Sequence, residues 1–83
     1  LVWSIYILKC KDGTYYTGIA KDLERRIAEH NGVGTAGAKY TRSRRPVTLS
    51  YYEMALTRSE ALIRENKIKR LSRKNKEQLI LGK

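Results

Sequence analysis

At 83 residues the chain has room for one domain, spanning 1–83, and a domain of that size buries only roughly 60–65% of its unfolded surface, which excludes a large internal ligand cavity. Eighteen lysines and arginines against 8 aspartates and glutamates give a formal charge of +10, spread from Lys9 to Lys83, so repulsion opposes compaction unless something anionic binds. A polyanion is the economical partner. The single cysteine, Cys10, excludes an intramolecular disulfide and a multi-cysteine zinc site, and the longest apolar run is far short of a membrane span. These features predict a soluble, cytoplasmic protein with no membrane role.

The first predicted element is a hairpin from Trp3 to Gly18. An apolar strand through Ile5, Tyr6, Ile7 and Leu8 meets an Asp12-Gly13 turn and returns through Tyr15, Tyr16 and Thr17. Asp-Gly between two β-rich runs signals a hairpin because both residues tolerate the positive φ of a tight turn. The first strand, about Val2 to Cys10, is apolar on both alternating sets, so it is expected at the centre of the sheet. Alternation lets Tyr6 and Tyr16 project to one face beside Gly18, where no side chain blocks approach. Six tyrosines and no phenylalanine mean that phenols, rather than plain rings, are used here; cross-strand packing with hydroxyls at the rim is the structural alternative.

After Gly18 the period changes to 3.6. Asp22 is a plausible N-cap and Gly32 a stop for a helix from about Leu23 to Asn31, with Leu23 and Ile27 on its buried stripe. Arg26 and His30, four apart, stack along one border of that stripe. An arginine there must snorkel to solvent or meet an anion. From Val33 to Pro46 there is no periodicity. Its second half, Lys39-Tyr40-Thr41-Arg42-Ser43-Arg44-Arg45, combines cations, a tyrosine and hydroxyls suited to phosphates, and Lys39, Tyr40, Thr41, Arg42, Arg44 and Arg45 are the expected nucleic-acid contacts.

Val47 to Ala55 is a third strand, with Val47, Leu49 and Tyr51 on one alternating set and Tyr52 and Met54 on the other. Thr57-Arg58-Ser59-Glu60 forms a capping box. In the helix that follows, to about Arg70, Ala61, Leu62 and Ile68 turn toward the sheet with Glu65 in the middle of their arc. An inward carboxylate in so basic a protein needs an arginine or a metal ion. Ser72 caps a last helix, about Arg73 to Leu81, docked through Leu79 and Ile80. Arg64, Lys67, Lys69, Arg70, Arg73, Lys74 and Lys76 make this end basic, and Lys69 joins the expected nucleic-acid contacts. The order β-β-α-β-α-α describes an α+β domain with a three-stranded antiparallel sheet flanked by helices.

Taken alone, the sheet tyrosines, Arg26, His30 and Glu65 make a phosphate-directed site with a hard-cation ligand. At this point the chain resembles the GIY-YIG nuclease family, in its small single-domain bacterial branch. Ser4-Ile5-Tyr6 is similar to the first signature and Tyr16-Thr17-Gly18 to the second. Ala20 to Arg26 with His30 resembles the family's first helix, and Glu65-Asn66 with Ile68-Lys69 its metal-carrying helix. The resemblance implies a divalent-metal-dependent endonuclease acting on branched or duplex DNA in repair or recombination. It implies Tyr6 or Tyr16 as general base, with Tyr6 favoured, and Arg26 as transition-state stabiliser. His30 would assist proton transfer or contact phosphate, and Glu65 would hold one Mg²⁺ or Mn²⁺. Two departures stand out: Ser4 replaces the first glycine, and Ile19 stands where several relatives carry a lysine near the scissile phosphate. Lys39 or Lys21 could supply that charge. The resemblance stops at the catalytic module, which points to a partner protein for targeting. The competing expectation is a nucleic-acid-binding module that keeps the fold and does not cleave; an interaction domain unrelated to nucleic acid fits the charge badly.

Overall fold

The computed structural model describes residues 2–34 and 37–82. Three strands, β1 (Trp3–Lys9), β2 (Tyr15–Ala20) and β3 (Thr48–Ala55), form one antiparallel sheet in the order β2-β1-β3. The helices are α1 (Leu23–His30), the single turn α2 (Lys39–Arg42), α3 (Arg58–Lys69) and α4 (Arg73–Ile80). The short α2 lies in the stretch expected to be irregular; four residues carry too little periodicity to announce a helix.

Strand β1 is central because both of its faces are apolar, and Ser4 through Leu8 are all buried. On one face Tyr6, Leu8, Cys10, Ala20 and Val47 pack with Tyr16 and with Leu23 and Ile27 of α1. On the other, Ile5 and Ile7 pack with Ala61 and Ile68 of α3 and with Leu79 and Ile80 of α4. Burying each such aliphatic chain stabilises the fold by about 1.5–3 kcal/mol. The helices therefore sandwich the sheet, with Leu62 half-buried at the margin.

Local chemistry sets the element ends. In the hairpin turn Gly13 takes a φ of +84°, Cys10 and Thr14 close the ladder, and the Asp12 carboxylate accepts from the Thr14 amide and hydroxyl. Asp22 caps α1 by accepting from the Arg25 amide at 3.1 Å. Thr57 and Glu60 complete the capping box of α3, and Ser72 caps α4.

One expectation about β3 is corrected. Ile7 pairs with Tyr51 and Leu8 with Leu49, so Ser50 is an extra residue in a bulge. Alternation alone keeps Leu49 and Tyr51 together; the bulge sends them to opposite faces, Leu49 to the α1 side with Tyr52 and Met54 and Tyr51 to the α3 side.

Candidate active site

The site is built on a cross-strand pair. Tyr6 lies opposite Gly18, and a Cβ at position 18 would sit 2.5 Å from the Tyr6 hydroxyl oxygen. Glycine at 18 thus leaves the space that this hydroxyl fills. From there the Tyr6 oxygen lies 2.8 Å from His30 Nε2 at the end of α1. His30 Nδ1 lies 2.9 Å from the Thr41 hydroxyl of α2, which itself donates to the Ala38 carbonyl at 3.0 Å.

Donor counting fixes the direction of this chain. The Thr41 hydroxyl has one proton, given to Ala38, so it accepts from His30 Nδ1–H. Neutral His30 then presents a bare Nε2, and the Tyr6 hydroxyl donates to it. The imidazole is neutral because burial, then the Arg26 charge, pulls its pKa down to about 4. Both His30 and Thr41 are fully enclosed.

Arg26 hydrogen-bonds the Tyr6 hydroxyl and also reaches Glu29 Oε1 at 3.0 Å. Burial works against the guanidinium charge, but these two contacts outweigh it and raise the Arg26 pKa. Tyr6 is pushed up to about 12, first by burial; the Arg26 hydrogen bond opposes the rise, and the Tyr16 phenol and Glu65 carboxylate reinforce it. Arg26 pulls toward the phenolate, but desolvation of this 1%-exposed side chain outweighs it, and Tyr6 rests as a phenol.

Glu65 comes from α3 on the opposite side of the sheet, yet its charge acts on Tyr6. Its side chain is 13% exposed, and Lys69 Nζ, one turn along, lies 3.6 Å from it. The side-chain cation beside it is a lysine rather than an arginine. No group of three or more His, Cys, Asp or Glu gathers among the described residues, so Glu65 belongs to no such cluster. That donor fits a hard cation that takes most of its octahedron from water and substrate phosphate.

Tyr16, half-buried, lies beside Tyr6 and His30. Its ring centroid is 6.4 Å from that of Tyr6, 5.0 Å from His30 and 5.8 Å from Tyr40. Tyr6, Tyr16, Arg26 and His30 thus gather in one region, and Glu65 is linked to it through its electrostatic effect on Tyr6. The expected phosphate-binding loop divides differently. Lys39, Tyr40 and Arg42 are exposed, but Thr41 is spent on His30 and closed to any ligand. Arg44 stacks on Tyr40 at 4.0 Å and pairs with Asp12 at 3.0 Å, while Arg45 donates to the His30 carbonyl at 2.7 Å. The loop thus braces His30 through Thr41 and Arg45 as well as facing solvent, while Arg44 is held by Asp12 and Tyr40. His30 is enclosed, and both of its ring nitrogens are engaged, by Tyr6 and by Thr41.

Asn31, not singled out in the sequence, clamps the site from behind. Its amide donates to the Val47 carbonyl at 3.0 Å and accepts from the Val47 N–H at 2.7 Å. Its position just after His30 and before Gly32 is the only sequence signal, and it reads as an ordinary helix end.

A two-tyrosine hairpin on a β2-β1-β3 sheet, with an arginine and histidine on the first helix and a glutamate on the third, defines a class. The family model described as the GIY-YIG catalytic domain matches residues 2–78, and the chain belongs to that family. Within it, a UPF0213 protein of Staphylococcus saprophyticus is 60% identical over 76 residues, covering 92% of this chain and 90% of that one. A UPF0213 protein of Halobacterium salinarum is 55% identical over 75 residues, covering 90% and 95%. The solution structure of a UPF0213 protein from Bacillus halodurans superposes with a TM-score of 0.63 at 43% identity, covering all of this chain and 86% of that one. A second solution structure, from E. faecalis, gives 0.65 at 38% identity over 99% and 85%. Membership supports a nuclease-type function on a nucleic-acid substrate. No helix among the described residues is long and apolar enough to cross a membrane.

Proposed function

We propose that the chain is a divalent-metal-dependent endonuclease that hydrolyses DNA phosphodiester bonds, with a preference for branched or flapped substrates in repair or recombination. The observation that carries this is the Tyr6 hydroxyl: it donates to His30 and accepts from Arg26 within the field of Glu65. A phenol oxygen has two lone pairs, so one remains for a water. As that water loses its proton to Tyr6, the Tyr6 proton passes to His30 Nε2, and hydroxide attacks phosphorus. Burial of Tyr6 is compatible with this because Arg26, which touches the same oxygen, is 27% exposed at its side chain. A phosphate held by Arg26 offsets the positive charge that, second to burial, lowers the His30 pKa, so the proton acceptor gains basicity when substrate is bound. Arg26 also faces the negative charge that gathers on the phosphate in the transition state. Glu65 would hold one Mg²⁺ or Mn²⁺, which when bound acts as a Lewis acid at phosphate and leaving oxygen. Lys69 is then released from Glu65 for the nucleic acid, and Lys39, Tyr40 and Arg42 are further contacts for it.

The test is a cleavage assay on duplex, single-stranded, flap and four-way-junction DNA with Mg²⁺ or Mn²⁺. Wild type gives metal-dependent products, and Arg26→Ala and Glu65→Ala each lose on the order of 10²–10³ in rate. Equal activity in all three proteins points to a contaminating nuclease and removes the assignment. The second reading, a binding module without catalysis, is favoured by the Lys69 contact on Glu65; it predicts salt-sensitive binding and no products.

A further inference from the structure

We propose that the cleft at the outer edge of β2, walled by Trp3 and Ile19 and flanked by Lys21 and Arg25, is a subsite for the nucleotide adjoining the scissile phosphate. It would take the base against Trp3 and the phosphate on Lys21. This deepens the nuclease reading and rests on it.

The cleft holds about 310 Å³, near the low end for small-ligand sites, which admits one nucleotide unit and not a duplex. It adjoins the candidate active site through Arg26, which touches Tyr6 and also lines the cleft. Trp3 and Ile19 are partly buried on the α3 face of the sheet and supply an apolar wall. Trp3 sits one register step beyond the Ser4–Ala20 pair, which brings Lys21 across from it. The Lys21 ammonium rests 5.3 Å from the centre of the indole ring, and Arg58, the first residue of α3, lies 6.0 Å from it. Two cations over one aromatic ring are the components of a nucleotide site: a π surface on which a base stacks and charges that reach its phosphate.

The acids lining the cleft are already engaged. Asp22 caps α1, and Glu29 bridges Arg25 at 3.4 Å and Arg26 at 3.0 Å. Lys21, by contrast, is held on the ring by a contact that a long flexible side chain leaves readily once a base arrives and a phosphate is within reach. Ile19 acquires a purpose here. An apolar residue beside Trp3 enlarges the stacking wall, while positive charge enters two residues later, at Lys21.

Trp3 is the only tryptophan, so its fluorescence reports this cleft alone. The experiment titrates the wild-type chain in EDTA, where no cleavage occurs, with a short oligothymidylate and with an abasic chain of equal length. Tryptophan emission and the anisotropy of a dye on the oligonucleotide are followed in parallel. The expected result is saturable quenching by oligothymidylate, absent with the abasic chain, whose affinity is at least about fivefold weaker. Lys21→Ala is expected to weaken binding of both chains and to lower the salt slope by about one phosphate contact. Binding seen by anisotropy with no change in emission, or equal quenching by the abasic chain, overturns the subsite and leaves the nuclease reading intact. No binding by either readout also overturns the subsite, while the nuclease reading stands or falls with the cleavage assay on duplex, flap and junction DNA. Binding and quenching as expected, without metal-dependent products in the cleavage assay, keeps the subsite as a nucleotide-binding cleft and removes only the catalysis.

Discussion

The Tyr6 hydroxyl has its position because residue 18 has no side chain. In Gly18→Ala the new methyl would overlap that oxygen, so the ring must move away from His30 and Arg26. The overlap costs about 1–3 kcal/mol, but activity is expected to fall at least about 100-fold, more than the stability change explains. Thermal denaturation beside turnover separates the two. His30 gives a second expectation. It is buried neutral with a pKa near 4, against an ordinary value of 6.5, so the unfolded chain binds the extra proton first. Its contribution is present above about pH 6.5 and is lost as pH falls toward 4, amounting to roughly 3 kcal/mol across that window. The thermal midpoint is expected to drop over that interval in wild type and to drop less in His30→Gln.

Local signals explain why the elements could be foreseen. The hairpin, the Asp22 and Ser72 caps and the Thr57–Glu60 box each depend on residues within four positions of one another, and all stand as expected. Tyr6, Arg26 and Glu65 could be singled out because each is a polar group on a face that periodicity marks as inward. What sequence could not show depends on long-range partners. The bulge at Ser50 arises from pairing with β1, and the burial of Thr41 from meeting His30 eleven residues earlier; locally Thr41 looks like any loop hydroxyl. Asn31 belongs to the same category and supplies a prediction. Asn31→Ala leaves the buried Val47 amide and carbonyl without partners, at a cost of about 2 kcal/mol or more. That corresponds to a fall in Tm of roughly 8–16 °C, measured by calorimetry or circular dichroism.

For the whole molecule, charge and size act together. A chain with a formal charge of +10 in a body with a radius of gyration of 12.2 Å carries strong self-repulsion, which a phosphate backbone relieves. DNA binding in EDTA is therefore expected to weaken steeply with salt. With about four phosphate contacts, affinity falls roughly 100-fold between 50 and 200 mM, as read by anisotropy. The same partner is expected to raise Tm at low salt, because ligand bound to the folded state alone shifts unfolding by mass action.

On the nuclease reading, the pairing of Tyr6 with Gly18 also ties catalysis to the history of the chain. Strands can meet in several offsets, and a slip of one residue in this hairpin would turn Tyr6 toward α3 and set an isoleucine or threonine where glycine must be. A misaligned hairpin would retain its backbone bonds and its hydrophobicity while losing the reaction centre altogether. Recovery of cleavage after dilution from denaturant should then follow the choice of alignment, not the earlier collapse, making enzymatic turnover a proofreader of the fold.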